Sequence, residues 1–296
     1  LTATVHFRYL EISFGRHTVL EDTFGDILGK ARWGKGVSIE ALATQSGITG
    51  TRIVDLEEGA LPNGEEVEAL ASPLGLQPDR LRAIAEERWH PKPHPDWVKR
   101  SVLPVQGHIG SYAVWGYLLF DEQTRKAALI DTAHDPKGVL AVLEKNRFQL
   151  VFILLTHAHP DHIGGVEEIR RETGAAVYLH PDERATLGRP LDGSVPAKEG
   201  LRLSLGPFDI LALSTPGHTP GGTTYFVQER ERATAFTGDA LFAGSVGRSR
   251  STQSYFLLLE GIRKKILTLP EETPLFPGHG PSTTVGQEKD NNPFFP

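Results

Sequence analysis

The spacing of apolar residues changes its period along the chain. Near the start Val5, Phe7 and Tyr9 alternate with polar neighbours, the two-residue period of a strand, and "FGRH" at 14–17 offers a turn. A strand pair or arm is predicted over 1–22. From Thr23 the period lengthens. "TFGDILGKARW" places Phe24, Ile27, Leu28 and Ala31 on one helical face. "SIEALATQSG" has Ser38 as N-cap and Gly47 as stop, and "TGTRIVDLEEG" pairs Ile53 with Leu56 before Gly59. "GEEVEALASPLGL" and "QPDRLRAIAEE" add two more short helices, so 23–89 is expected to be a small, mostly helical domain. "HPKPHPD", His90 to Asp96, is a stiff proline-rich linker assigned to 90–97. Beyond it the pattern changes again. Apolar runs of strand length stand at 150–156, 208–213, 233–237 and 274–276, and "GGVEEIRRETG" has helical spacing. The first run, "LVFILLT", is continuous enough for a strand buried on both faces. Strands mixed with helices over 98–296 predict an α/β domain.

Charge separates the same two parts. Residues 1–96 carry 10 Lys and Arg against 15 Asp and Glu, a net of −5; residues 97–296 carry 21 against 22, a net of −1. No apolar run approaches the ~20 residues of a membrane span. The alternating start is unlike the core of an export signal, so a cytoplasmic location is expected. The 296 residues contain no cysteine, which excludes disulfides and thiolate ligands. Any metal must be held by nitrogen and oxygen.

The chemistry concentrates after the run at 150–156. "THAHPDH" puts His157, His159, Asp161 and His162 within six positions, between a predicted strand and two glycines. One histidine in a loop is ordinary; four metal-type donors at the carboxyl end of a buried strand are not. Three later segments repeat the design of strand followed by donor. His218 follows 208–213 in "STPGHTPGG", Asp239 follows 233–237 in "FTGDALF", and His279 follows 274–276 in "FPGHGP". Each alone suits a turn. Together they point to one metal centre built from four separated loops. Asp131, in "ALIDTAHDP", also closes an apolar run, and as a lone residue it suits a turn or N-cap as well as a site.

The set "THAHPDH … PGHT … GDALF … PGHG" resembles the metallo-β-lactamase superfamily. "FTGDALFAGSVGRS" and "FPGHGPSTTVGQEKDNNPFF" are most similar to its glyoxalase II-like hydrolases. The resemblance spans about Val98 to Phe295 and implies an αβ/βα sandwich with two divalent metals at one edge. Zinc is expected, with iron and manganese as alternatives. By motif position His157, His159 and His218 would hold one ion, Asp161, His162 and His279 the other, and Asp239 would bridge them. The reaction implied is attack by a bridging hydroxide on a small thioester, ester or lactone, with Asp161 orienting the nucleophile and no serine or cysteine nucleophile required. Asp131 would support the site from behind, orienting a ligand imidazole. Two features leave the substrate open. Glyoxalase II enzymes continue into a helical region that grips glutathione, whereas here "NNPFF" is followed only by Pro296. "GRSRS" carries Arg248 and Arg250 where relatives often have aspartate; arginine suits an anionic substrate group, although a surface ion pair is the preferred expectation. His108, whose loop precedes the early strands of the domain, is a further candidate pocket residue.

Residues 23–87 resemble the helix-turn-helix of the Cro/repressor family, through Ala43, Gly47, Ile53 and "LEEG". The resemblance implies that the third helix reads DNA. Charge opposes this, because that helix offers Arg52 alone against Asp55, Glu57 and Glu58, and DNA affinity depends on cations that displace phosphate counterions. A bundle that covers the enzyme or forms a homodimer is preferred. The competing functions are a transcription regulator whose metal domain senses a metabolite, and a mononuclear-iron persulfide dioxygenase-like enzyme. The intact "PGHG" segment at His279 favours two metals over one.

Overall fold

The computed structural model describes residues 19–184, 187, 191 and 193–296. The strand pair expected around Val5 to Tyr9 lies outside the described residues. Five helices come first: α1 (Phe24–Lys35), α2 (Ile39–Ser46), α3 (Gly50–Glu57), α4 (Gly64–Leu74) and α5 (Pro78–Ala85). Their ends are fixed as the caps predict. Thr23 and Asp26 close a capping box on α1, and Ser38 caps α2. Gly47 ends α2 in the left-handed conformation at φ 74°.

Two six-stranded mixed sheets follow. The first contains β1 (Val102–Ile109), β2 (Tyr112–Phe120), β3 (Lys126–Ile130), β4 (Gln149–Leu154), β5 (Ala176–Leu179) and β6 (Val195–Pro196), in that order, with α6 (Pro136–Asn146), α7 (Pro160–Ile163), α8 (Val166–Thr173) and α9 (Pro181–Arg184) between strands. The second has the order β14-β13-β10-β9-β8-β7. Its strands are β7 (Arg202–Leu205), β8 (Phe208–Ser214), β9 (Thr223–Glu229), β10 (Arg232–Gly238), β13 (Pro274–Pro277) and β14 (Thr283–Thr284). A small hairpin of β11 (Leu241–Phe242) and β12 (Ser245–Val246) stands apart, and α10 (Thr252–Gly261) and α11 (Val285–Asn291) complete the chain.

Strand alternation explains the layers. On β2, Tyr117 and Leu119 enter the core between the sheets, while Leu118 and Phe120 face α6 and α8 on the outside. On β13, Phe276 points to the inter-sheet core and Leu275 to the opposite face. The result is the expected αβ/βα sandwich. The α1–α5 bundle extends one outer layer. Ile27, Leu28, Leu70 and Leu81 share a single buried cluster with Tyr255 and Leu258 of α10 and with Phe294 and Phe295. The predicted linker is also pinned: Lys92 N–H donates to Gln287, and His94 is buried against Phe276.

Topology brings the donors together. β3, β4 and β5 run parallel. In the other sheet β8 and β10 are both antiparallel to β9, and β10 is parallel to β13. The carboxyl ends of β8, β10 and β13 therefore lie at one edge. Those are the ends that carry His218, Asp239 and His279.

Candidate metal centre

The seven predicted donors converge. His157 Nε2 and His218 Nε2 each lie 3.0 Å from His159 Nδ1, and Asp239 Oδ2 is 3.4 Å from His218 Nε2. On the other side His279 Nε2 is 3.1 Å and His162 Nε2 3.5 Å from Asp161 Oδ2. Asp239 touches both groups, with Oδ1 3.3 Å from His162 Nε2 and Oδ2 3.6 Å from His279 Nε2. His157, His159, His218 and Asp239 could hold one metal ion, and so could Asp161, His162 and His279. All these donors are imidazole or carboxylate, a set that suits zinc, iron or manganese.

Two buried atoms test whether an ion fits. His162 Nε2 and Asp239 Oδ1 face each other at 3.3 Å, yet among the described residues neither makes a hydrogen bond of good geometry. A native fold rarely leaves two such atoms unsatisfied. A cation coordinated by both would satisfy them. Gly278 permits the approach, since a Cβ there would collide with Asp239 Oδ1 and His162 Cε1. Gly238, in the left-handed region at φ 49°, turns the chain so that Asp239 leaves β10 towards the centre; a Cβ there would strike Thr156.

The far nitrogens of four imidazoles are tied down. His162 Nδ1 is 2.8 Å from Asp131 Oδ2, His157 Nδ1 3.0 Å from Thr156 Oγ1, His218 Nδ1 2.8 Å from the Arg248 carbonyl and His279 Nδ1 2.7 Å from the Ala113 carbonyl. Such bonds fix the tautomer and ring plane and leave the other nitrogen to bind. Asp131 also accepts the Thr156 N–H and hydroxyl, at 2.8 and 2.7 Å. Its oxygens are occupied by these donors, which places it behind the centre. The backbone there is in the left-handed region at φ 53°.

The electrostatics divide the cluster. Burial holds His157, His159 and His218 below the ordinary imidazole value, His218 at about 4. Burial also pushes His279 down, but the hydrogen bond to Asp161 and the charge of Asp239 outweigh it and raise the group to about 9. Burial likewise opposes charge on His162, and Asp239 and Asp131 overcome that to hold it well above its usual value. Asp239 is the counterpart: burial favours its neutral form, yet the surrounding imidazoles, His162 first, keep it well below the carboxylate range.

The predicted substrate residues are less engaged. Arg248 and Arg250 are exposed, and among the described residues neither forms an ion pair, contrary to the preferred expectation for them. Arg248 serves the centre through its carbonyl instead. Arg250 lies close enough for its charge to lower His159, after burial and against the nearby aspartates. His108 is exposed and pairs in register with Ala113, whose carbonyl takes His279. Sequence reasoning missed Glu183, which is fully buried beside the first imidazole group. The signal was present in "VYLHPDE": an apolar strand followed at once by polar, donor-type residues, the same design as the other loops.

Comparison with known proteins agrees with this geometry. Residues 110–279 match the family model described as the metallo-beta-lactamase superfamily. A probable metallo-hydrolase of Bacillus subtilis, YqgX, is 36% identical over 214 residues, covering 67% of this chain and 96% of that protein. The hydroxyacylglutathione hydrolase GloC of Haemophilus influenzae is 34% identical over 194 residues, covering 60% of this chain and 90% of its own length. Among solved structures, TTHA1623 in a di-iron-bound form is 33% identical with a TM-score of 0.52, covering 65% of this chain and 99% of that one. The sandwich, the converging imidazoles and these likenesses lead to one assignment: the chain belongs to the metallo-β-lactamase superfamily.

Proposed function

We propose that the chain is a dinuclear metal hydrolase of a small thioester, ester or lactone, with zinc as the preferred ion and iron or manganese as alternatives. The observation that carries this reading is the unsatisfied pair, His162 Nε2 and Asp239 Oδ1, set between two groups of donors. His157, His159 and His218 would hold one ion, Asp161, His162 and His279 the second, and Asp239 would join them. When bound, such ions supply a water acidified towards pKa ~7 and polarise a carbonyl oxygen. The side chains do the rest. Asp161, half-buried beside His279, would orient the nucleophile. Arg250, exposed and without an ion-pair partner among the described residues, would meet an anionic group on the substrate. The Haemophilus relative is named for an acylated glutathione, which is an anionic substrate of this kind. Metal analysis combined with a panel of thioesters, esters and lactones tests the proposal. Two ions per chain and turnover of at least one thioester are expected. One iron per chain, with oxygen consumed, would replace this reading by the dioxygenase one.

The helical bundle is proposed to cover the enzyme. Arg52, the one cation of α3, is held bidentately by Glu66 at 2.7 and 2.9 Å and also donates to the Leu61 carbonyl. Arg32 is likewise held by Glu57. No cation of α3 is left to displace phosphate counterions. The full chain is therefore expected not to retard duplex DNA in a gel at micromolar concentration and low salt. Sequence-selective retardation would restore the regulator reading.

A further inference from the structure

Glu183, on the short helix α9, is fully buried beside the loops that carry three imidazoles. Its two oxygens are divided between two of those loops. Oε2 accepts the Ala158 N–H at 2.8 Å, and Ala158 stands between His157 and His159. Oε1 accepts the Gly221 N–H at 2.7 Å, in the turn that follows His218. The bonded residues lie 25 and 38 positions away in sequence. One carboxylate thus ties the two segments together on the imidazole side, beyond the Thr223 N–H to Thr156 carbonyl bond that joins them at the strand ends.

We propose that Glu183 is a positioning residue that sets the spacing of the His157–His159 pair against His218, and so the affinity of that group for its ion. The inference rests on the reading of the cluster as two metal sites. A carboxylate is costly to bury, and it is tolerated where charge-assisted hydrogen bonds satisfy it. Both oxygens are directed at backbone amides, so Glu183 acts through the loops and not as a ligand. Its shape matters as much as its charge. Only a carboxylate offers two equivalent acceptors in one plane, and glutamine would set an NH2 group against one of the two N–H donors. The fit on the Gly221 side is tight as well. A Cβ at that position would come within 2.8 Å of Glu183 Cγ and of His180 Nδ1. Ligand sets lose metal affinity by about 10–100-fold when such outer supports are removed.

The test is zinc titration of the full chain in competition with a chromophoric chelator. The wild type is compared with Glu183→Gln, Gly221→Ala and His218→Ala. Glu183→Gln is expected to weaken one equivalent of zinc by about 10-fold or more while the other stays within about 2-fold. The weakened equivalent is the one that His218→Ala removes. Gly221→Ala keeps the carboxylate and pushes the loop away from it, so it should show the same selective loss even if Glu183→Gln fails to fold. Unchanged binding in these variants, or equal weakening of both equivalents, overturns the role. A wild-type chain that takes one ion only would refute the two-metal reading, while the clamp would still be read from that single ion.

Discussion

Asp239→Ala is expected to lower kcat/KM for any substrate of the enzyme on the order of 10^3-fold or more, and to leave fewer than two ions per chain. The size of the effect follows from position. Asp239 is buried, and its two oxygens lie 3.3–3.6 Å from His162, His218 and His279. Its oxygens reach donors of both groups. Without it, two dications would face each other with less negative charge between them, and each group would lose an oxygen ligand. Asp239→Asn should be nearly as damaging, because the amide keeps the volume and discards the charge. Metal content by mass spectrometry and initial rates on a thioester panel check this together. Two tightly held ions in Asp239→Ala would remove Asp239 from the bridge.

The second large effect is a difference in pH dependence between the two groups. In the ion-free protein His279 is raised to about 9 and His162 lies well above its usual value, whereas His218 lies at about 4. At neutral pH the group of His157, His159 and His218 is already unprotonated. The group of Asp161, His162 and His279 must release protons before it can bind. Its apparent affinity should therefore fall about tenfold per pH unit for each proton displaced, from about pH 9 downwards. The first group should stay flat over the same range. The sign for stability runs the other way. The His279–Asp161 pair supports the ion-free fold fully below the ordinary imidazole value of 6.5, and that support is lost as pH rises through about 9. Zinc titrations in weakly buffered solution between pH 6 and 9, with proton release recorded, separate the two equivalents. Identical slopes for both would contradict this division.

Much of the site was legible in the sequence because its donors are local. Four stand in one heptapeptide, and each of the others stands two to five residues after an apolar run. Sequence order alone then places them at strand ends. The helix limits were equally legible where caps define them, as at Ser38 and Gly47. What escaped was tertiary. The Glu183 carboxylate reaches residues 25 and 38 positions away, and those hydrogen bonds exist only once β4, α9 and β8 are packed. The carbonyls of Ala113 and Arg248 carry no side-chain signature at all. Arg52 looked like a free cation in a list of residues, and its pairing with Glu66 comes from the docking of α3 against α4. The helical spacing gives the apolar faces of the bundle but not what they meet, and these faces are completed by residues near position 295.

That last arrangement governs the order in which the molecule can mature. The Gln77 N–H donates to the Pro293 carbonyl at 2.8 Å, and Arg80 reaches the carbonyls of Asn292 and Phe295, more than 200 residues further along the chain. As the polypeptide emerges from the ribosome, these helices wait with an uncovered apolar flank until the residues around 293–295 have been made. Their nascent form should therefore be a preferred target for chaperones, and ribosome-stalled chains ending before Pro293 should be cut by protease within α5 sooner than the released protein.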